Sequence, residues 1–335
     1  MDIPSSNRKT RISIIIPVYN CASFLDRCIE TLLSQTIEEW EAIFINDGSI
    51  DNSAEIIESY VLRDSRINLI NKPNGGAASA RNKGLDVAHG EYITMIDADD
   101  TIPNNALEMM LNAATSTHCD LVIASQTVLR EDGTSESKQF SSSGLLKTDP
   151  HFLFSSVYRG PVAKLYRKDI IDRYNLRMPE DAYIAEDYVF VTSYWTRTKS
   201  IYVINDSLYN YMYQENTNSL VHRFCDRRLP FDAYVKNAEA PWRTFKFLVA
   251  VETDNSVISD WIYELYKDLW RMSNNSMRYL KTAEERRELQ SLVKCWDRDM
   301  SKYMSFFTRV RMLHRYPSLV RLLKKLREMY RKCFK

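Results

Sequence analysis

EYITMIDADDT, residues 91 to 101, joins an apolar run directly to a cluster of acids. Tyr92 to Ile96 are mostly apolar and β-prone, which predicts a buried strand, and Asp97, Asp99 and Asp100 follow at its carboxyl end. In open α/β sheets, ligands bind beyond the carboxyl ends of the strands. Two carboxylates two residues apart repel each other unless they share a cation or a proton, and Mg²⁺ and Mn²⁺ prefer oxygen ligands of this kind. The segment therefore predicts a ligand site at the edge of a sheet.

A structural alternative is that these acids form a solvated turn and cap the next helix. We assign that role to Asp100 or Thr101, because residues 103–104 look like a helix start. A cap needs one acid and not three, so capping leaves Asp97 and Asp99 unexplained.

The composition is that of an ordinary globular protein. A chain of 335 residues, 44% hydrophobic and 12% aromatic, can bury one large core or two small ones. Its six cysteines are scattered, without C-x-x-C or histidine at metal-ligand spacing, which indicates reduced thiols in a cytoplasm. Met1 to Arg11 is polar and no apolar run reaches the length of a bilayer span, so we expect a protein that is neither exported nor integral to a membrane.

The net charge of +1 hides an asymmetry. Ser301 to Lys335 contains eleven Lys or Arg and a single acid, Glu328, so this tail carries a net charge of +10 and the preceding residues carry −9. Apolar residues recur at helical spacing from Leu319 to Tyr330, with basic residues between them. A basic amphipathic helix of this kind binds an anionic membrane surface. The alternative is a last helix that packs on the body with a basic solvated face.

Strand-like and helix-like segments alternate along the first third of the chain. The predicted strands are Arg11 to Val18, Glu41 to Asn46, Ile67 to Ile70, Tyr92 to Ile96 and Leu121 to Thr127. This alternation predicts a mostly parallel sheet with flanking helices. The loops after the first, second and fourth strands then meet at one edge of that sheet.

The rest of the chain divides by composition. Residues 131–148 are polar and predict a surface hairpin or loop, and residues 158–171 mix basic with apolar side chains. Glu186 and Asp187 precede apolar residues at helical spacing, which would place both at a helix N-terminus, where negative charge is favoured. From about residue 226 the pattern is helical, with an apolar core stripe over residues 258–269. We therefore divide the chain into a tail 1–10, an α/β domain 11–225, a helical extension 226–300 and the basic tail 301–335.

Five motifs occur in order along this chain: PVYN (17–20), NDGSIDNS (46–53), NGGAASARNKG (74–84), DADD (97–100) and EDYVF (186–190). In this order and spacing they resemble the family-2 inverting glycosyltransferases, over about Arg11 to Val221. The resemblance implies the Rossmann-like GT-A fold, with a nucleotide-sugar half at 11–128 and an acceptor half at 129–225. It also implies transfer of a sugar from a nucleotide donor to an acceptor hydroxyl.

The resemblance also implies roles for individual residues on the donor side. The backbone of Pro17, Val18 and Tyr19 would line the base pocket with Asp47, whose carboxylate would accept from a uracil-like N–H. Arg81 would reach the diphosphate, where a guanidinium bonds two oxygens at once. Asp97, Ala98 and Asp99 match the family's DXD element, in which Asp99 would bind Mn²⁺ or Mg²⁺ and Asp97 would contact the ribose or the metal.

On the acceptor side, Asp187 matches the family's general base, and Glu186 would be a neighbour that binds the acceptor. The alternative is that both acids merely begin a helix. YNYMYQENTNSLVHRF, residues 209–224, resembles the family's tyrosine-rich strand and the loop over the donor. There Ser219, His222 and Arg223 would close over the diphosphate, and His222 would add a metal ligand, although a lone histidine is more often structural.

Two other functions compete with glycosyl transfer. DADDT also fits the D-x-D-x-T pattern of haloacid-dehalogenase-like phosphohydrolases, with Asp97 as nucleophile and Asp99 as acid/base. In that family the motif follows the first strand, whereas three predicted strands precede it here, and the other motifs stay unexplained. A non-catalytic nucleotide-sugar binding protein is the second alternative, but a pure binder needs no base.

We therefore expect a metal-dependent, inverting glycosyltransferase with a UDP-sugar donor and a saccharide or lipid-linked saccharide acceptor. Family analogy and the tail at 301–335 place it at the inner face of a bacterial cell membrane, as a cytoplasmic, peripheral enzyme of capsule or other surface-polysaccharide synthesis. We expect no nucleic-acid partner.

Overall fold

A computed structural model describes residues 9–137, 139–182, 184–213, 220–251 and 255–303, with the backbone alone at 220–222, 251 and 255–258. Ser219 and nearly all of the basic tail 301–335 therefore lie outside the described residues, as does the side chain of His222. The chain divides into two compact units, residues 1–236 and residues 237–335, and the division falls within a helix.

The first unit contains a mixed, mostly parallel sheet. Its described strands are β1 (Ile12–Val18), β2 (Trp40–Asp47), β3 (Ile67–Lys72), β4 (Tyr92–Met95), β5 (Leu121–Arg130), β6 (Ser135–Ser137), β7 (Gly144–Lys147), β8 (Lys164–Arg167) and β9 (Ser200–Tyr213). Their order across the sheet is β3-β2-β1-β4-β8-β5-β9-β7, with β6 paired to β5. The mostly parallel sheet predicted from the sequence is therefore confirmed.

Helices connect the strands and cover the sheet. Those of the first unit are α1 (Ala22–Leu33), α2 (Ser53–Val61), α3 (Gly76–Val87), α4 (Ala106–Thr117), α5 (Pro150–Ser156), α6 (Lys168–Arg173), α7 (Glu186–Trp195) and α8 (Leu220–Cys225). The helical extension contains α9 (Phe231–Val251), α10 (Asn255–Tyr279) and α11 (Ala283–Ser301).

The central strands have the burial that their sequence predicts. β1 pairs in parallel with β2 on one side and β4 on the other, and nearly all of its residues are buried. A strand covered on both faces needs apolar residues on both, which explains the continuous run ISIIIPV. Helix α3 approaches this strand closely, because a Cβ on Gly84 would lie 2.4 Å from Cγ2 of Ile15. The close approach fixes the position of α3 and of the residues it carries.

The antiparallel strand β8 was not predicted from the sequence. It lies between β4 and β5 and pairs antiparallel with both, with Tyr92 opposite Arg167 and Leu121 opposite Tyr166. β8 is only four residues long and contains two basic residues, so its composition gives no strand signal. Its insertion places residues 164–167 beside β4, the strand that the acids of DADD follow.

The polar segment 131–148 forms exposed strands at the edge of the sheet. β6 pairs antiparallel with the end of β5, which confirms the predicted surface hairpin, and β7 pairs antiparallel with β9.

The described residues of the second unit are helical, as predicted. Within the apolar stripe of α10, Trp261, Ile262, Leu265 and Leu269 are buried, in agreement with a core role. Helix α11 begins with a capping box, in which the Thr282 hydroxyl and the Glu285 carboxylate satisfy each other's backbone N–H groups. No helix in the described part of the chain is both long and apolar enough to cross a bilayer.

Candidate active site

The loops after β1 and β2 are bound to each other at the carboxyl edge of the sheet. The backbone N–H of Asn20 donates to the Ser49 hydroxyl at 3.0 Å, and the amide oxygen of Asn20 accepts from Ile50 N–H at 2.9 Å. The amide oxygen of Asn46 accepts from Ser49 N–H at 3.1 Å. These bonds hold the predicted base-pocket backbone, residues 17–19, beside the second loop. The Tyr19 residue remains 51% exposed.

Asp47 fastens the end of β2 to the start of α3. Its buried carboxylate accepts from Lys72 Nζ at 2.5 Å, from Gly75 N–H at 3.0 Å and from Gly76 N–H at 2.7 Å. The φ angle of Gly76 is +84°, a backbone conformation that favours glycine. Both carboxylate oxygens are therefore engaged, and a nucleobase N–H would have to take one of the remaining lone pairs. The predicted base contact of Asp47 stays a prediction.

Arg81 joins the two acidic motifs. Its guanidinium NH2 donates to Asp97 Oδ1 at 2.7 Å, and its NH1 lies 3.7 Å from Glu186 Oε1. The Arg81 side chain is only 9% exposed. The surrounding carboxylates raise its pKa against the opposing effect of burial. The guanidinium thus connects the end of β4 to the N-terminus of α7. The sequence predicted only a contact between Arg81 and the diphosphate of the donor, and not this link.

Asp100 has a structural role that differs from the predicted cap. Its buried carboxylate accepts from the Tyr209 hydroxyl at 2.5 Å and from Met212 N–H at 2.8 Å. Burial and the charges of Asp97 and Asp99 raise the pKa of Asp100 to about 8.

The cap prediction for Asp100 or Thr101 was therefore wrong. Helix α4 begins at Ala106 with Asn105 at its N-cap position, and Thr101 N–H instead donates to the Asn210 carbonyl at 3.2 Å. Both residues fasten the DADD motif to β9.

Asp99 fits the chemistry of a divalent cation site. Burial raises the pKa of the Asp99 carboxyl, the nearby charge of Asp97 raises it further, and Arg27 opposes the shift. Carboxylates of this kind are the oxygen ligands that Mn²⁺ and Mg²⁺ prefer. Among the described residues, no three His, Cys, Asp or Glu side chains are grouped so that they could hold a metal ion by themselves. A cation here would need ligands beyond these side chains, such as water and the phosphates of a substrate.

Glu186 and Asp187 occupy the first turn of α7, as predicted. The turn into the helix passes through Ala185, whose φ is +67°, and Asp187 Oδ1 accepts from Tyr188 N–H at 2.6 Å. Burial raises the pKa of Asp187 while the charge of Arg81 lowers it, and burial together with the charge of Asp187 raises the pKa of Glu186. A carboxylate with a raised pKa is better suited to accept a proton near neutral pH than an ordinary aspartate.

Two residues of this site were missed in the sequence, Lys164 and Tyr158. Lys164 is fully buried in β8, where its Nζ donates to the carbonyls of Gly160 at 2.8 Å and Val162 at 3.1 Å. Burial lowers the pKa of Lys164 to about 7, against the opposing charge of Asp187. Lysine is almost never fully buried without partners, so a lysine inside the apolar run VAKLY was the available signal. Tyr158 precedes it in the loop between α5 and β8, and carried no signal of its own.

The three residues predicted to close over the donor are not brought to the site by any described contact. Ser219 lies outside the described residues, the side chain of His222 is not described, and Arg223 is part of α8. Their predicted roles stay predictions.

Comparison with known protein families gives one clear match. The model of the family described as glycosyl transferase family 2 matches residues 13–174. This range includes four of the five motifs and ends before EDYVF.

Two bacterial proteins illustrate the similarity in sequence. Uncharacterized glycosyltransferase EpsJ of Bacillus subtilis (strain 168) is 33% identical over 216 residues, which is 62% of this chain and 62% of that protein. Uncharacterized glycosyltransferase YibD of Escherichia coli (strain K12) is 31% identical over 245 residues, 69% of this chain and 70% of that protein. The chain therefore spans less than two thirds of EpsJ and somewhat more than two thirds of YibD.

A solved structure shows the same fold. The crystal structure of S. aureus TarS 1-349 in complex with UDP-GlcNAc superposes with a TM-score of 0.64 at 17% sequence identity, over 87% of this chain and 89% of that chain. The predicted architecture, a mostly parallel sheet followed by a helical region, is confirmed by this likeness.

Proposed function

This chain belongs to glycosyl transferase family 2, and from that membership we propose that it transfers a sugar from a UDP-sugar to an acceptor hydroxyl, with inversion at the anomeric carbon. The observation that carries the proposal is the link through Arg81, which binds Asp97 of the DADD motif and lies beside Glu186, next to the candidate base Asp187. Family membership also sets aside the phosphohydrolase alternative. TarS, a neighbour in fold, has been crystallised with UDP-GlcNAc, which supports a UDP-sugar as the donor.

In the proposed reaction, the carboxylate of Asp187 accepts the proton of the acceptor hydroxyl. The acceptor oxygen forms a bond to the anomeric carbon as the bond from that carbon to the diphosphate oxygen breaks, and UDP leaves with the electron pair. Help from a general base of this kind is typically worth about 10² to 10⁴ in rate. Glu186 would bind the acceptor, and Arg81 would hold Asp97 and Glu186 in place.

Asp99, with Asp97, would hold Mn²⁺ or Mg²⁺. When bound, the cation would offset negative charge that develops on the departing diphosphate. Pro17, Val18, Tyr19, Asp47 and Ala98 would surround the nucleoside, in accordance with the family motifs.

Calorimetric titration tests the donor site. UDP, GDP and dTDP would be titrated into wild type and Asp99→Ala, with Mn²⁺ and then with EDTA. We expect metal-dependent binding of UDP in preference to GDP and dTDP, and loss of that binding in Asp99→Ala. Binding of none of the three nucleotides under any condition would contradict the proposal. Binding of UDP without any turnover of UDP-sugars would indicate the non-catalytic binding protein instead.

We further propose that the acceptor is a lipid-linked saccharide of a bacterial surface polysaccharide, and that the basic tail 301–335 holds the enzyme on the inner face of the cell membrane. The charge of the tail supports this, since each Lys or Arg near an anionic surface contributes about 1 kcal/mol of attraction. Flotation with vesicles of phosphatidylglycerol and of phosphatidylcholine would test it. Binding only to the anionic vesicles, weakened by Lys324→Glu with Lys325→Glu, is expected, and equal binding to both kinds would contradict it.

A further inference from the structure

Tyr158 lies in the loop between α5 and β8 and is largely open to solvent. The residue is 58% exposed, yet burial of its hydroxyl raises the pKa of Tyr158, and the charges of Asp187 and Asp97 raise it further. The residue is thus accessible, and the charges of both acids act on its hydroxyl. An aromatic ring in this setting offers an open apolar face next to polar groups.

Gly160 allows the Tyr158 ring to occupy this place. A Cβ on Gly160 would lie 2.2 Å from Cε1 of the ring, so the ring folds back over the glycine and would have to move if any side chain were present. The φ of Gly160 is not in the left-handed region, so alanine would add the Cβ without backbone strain. The ring position therefore requires that residue 160 has no Cβ.

The turn beneath the ring is fixed by buried donors. Lys164 Nζ donates to the carbonyls of Gly160 and Val162, and the Tyr166 hydroxyl donates to the Pro161 carbonyl at 3.0 Å. Lys164 and Tyr166 are both fully buried. Lys164 Nζ also lies 5.8 Å from the centroid of the Tyr158 ring, within the range of a cation–π attraction. The ring thus rests on a turn whose carbonyls accept hydrogen bonds from buried side chains.

The position of the ring favours the acceptor over the donor. The residues predicted to bind the donor follow β1, β2 and β4, whereas Tyr158 precedes β8. Tyr166 of β8, which bonds the turn beneath the ring, packs on Phe190 of α7 with ring centroids 5.7 Å apart, and α7 begins with the candidate base. A general base must lie within hydrogen-bond reach of the hydroxyl whose proton it takes. A ring next to that base therefore lies next to the acceptor sugar. One face of a pyranose presents mainly C–H groups, and packing that face on an aromatic ring removes apolar surface of both from water.

We propose that the Tyr158 ring, held in place over Gly160, is a stacking platform for the sugar ring of the acceptor that carries the attacking hydroxyl. This inference rests on the proposed function and adds a specificity-determining residue to its acceptor site.

Kinetics of four variants test the platform, with UDP-GlcNAc, UDP-glucose and UDP-galactose as donors, Mn²⁺, and methyl glycosides of common hexoses and N-acetylhexosamines as acceptors. Tyr158→Ala and Gly160→Ala should each raise the acceptor KM by roughly tenfold, the size of a lost aromatic contact, and leave the donor KM within about twofold. Tyr158→Phe should keep the wild-type acceptor KM, because stacking needs the ring and not the hydroxyl. The double variant should match Tyr158→Ala, since the added Cβ has no effect once the ring is gone.

Tyr19→Ala is the matched comparison, because Tyr19 is similarly exposed but lies in the predicted nucleobase pocket. It should raise the donor KM and leave the acceptor KM unchanged. An unchanged acceptor KM in Tyr158→Ala, a change in its donor KM instead, or additive effects in the double variant would each overturn the platform.

The same set of experiments separates the platform from the proposed function. If wild type transfers sugar and Tyr158→Ala leaves the acceptor KM unchanged, the platform is overturned and the proposed function is not. If wild type transfers no sugar, saturation-transfer NMR of the same methyl glycosides, with UDP and Mn²⁺ present, decides the matter. Signals that weaken in both Tyr158→Ala and Gly160→Ala support the platform, and signals that are equal in all variants, or absent from wild type, overturn it.

Discussion

Replacement of Arg81 by methionine removes the buried cation that holds the two acidic motifs together. The Glu186 side chain is 12% exposed and would lose the guanidinium nitrogen that lies 3.7 Å from its carboxylate. The Asp97 side chain is 35% exposed and would lose the guanidinium nitrogen at 2.7 Å. At an effective dielectric constant of about 20, the contact at 3.7 Å corresponds to roughly 4.5 kcal/mol of Coulomb energy. The Asp97 contact is partly screened by solvent and adds less. We expect a loss of about 3–5 kcal/mol in the free energy of unfolding, as for other broken buried pairs.

The loss of stability in Arg81→Met should depend on pH, because Glu186 and Asp187 can take up protons once the guanidinium is gone. Burial already raises the pKa values of Glu186 and Asp187, and without Arg81 they rise further. A carboxyl group whose pKa is higher in the folded state than in the unfolded state makes stability fall as pH rises toward the folded value. The destabilisation by Arg81→Met should therefore be larger at about pH 8 than at about pH 5.5.

Urea denaturation followed by tryptophan fluorescence measures both effects. Arg177→Met is the matched control, since Arg177 bonds Asp86 at 2.7 Å but the two side chains are 29% and 53% exposed, and its loss should cost at most about 1 kcal/mol. Arg81→Lys keeps the charge and should fall between wild type and Arg81→Met. If Arg81→Met costs no more than Arg177→Met, or costs the same at both pH values, the buried cation does not hold the carboxylates as described.

Two further substitutions test the packing around the site. Gly84→Ala should lower the free energy of unfolding by about 1–3 kcal/mol, because the added Cβ overpacks against Ile15. In urea denaturation, the double variant with Ile15→Ala should lose less than the sum of the two single changes. Additive losses would contradict the close approach of α3 to β1. Tyr209→Phe removes the hydroxyl that donates to Asp100 and accepts from Asp97 N–H at 3.2 Å. We expect the free energy of unfolding to fall by about 1–3 kcal/mol and UDP to bind more weakly in calorimetry. A variant as stable as wild type would show that Asp100 does not need this partner.

The fold of the strands β1 to β5 was predictable from the sequence because its signals are local. The run ISIIIPV predicted a strand buried on both faces, and β1 has that burial between β2 and β4. Likewise, acids that directly follow a buried strand predicted a cluster at the sheet edge, and Asp97 lies there. These predictions need only neighbouring residues and the topology of parallel sheets.

The features that depend on contacts between distant residues were harder to predict. Asp100 is bound to Tyr209, more than a hundred positions later in the chain, and nothing in DADDT separates it from Asp97 and Asp99. The short strand β8 forms because β4 and β5 pair with it on both sides, and its own four residues do not specify it. The place of Tyr158 depends on the missing side chain of Gly160, a relation that appears only once the turn is folded.

The most direct test of the central claim is the initial rate of sugar transfer from UDP-sugars to saccharide acceptors by wild type and by Asp187→Asn, which has the same shape but cannot take up the proton. We predict that wild type transfers a sugar from at least one UDP-sugar, and that Asp187→Asn binds UDP normally but transfers about 10² to 10⁴ times more slowly. Transfer by Asp187→Asn at the wild-type rate would contradict the assignment of the base, and absence of transfer by wild type from every UDP-sugar would contradict the proposed function itself.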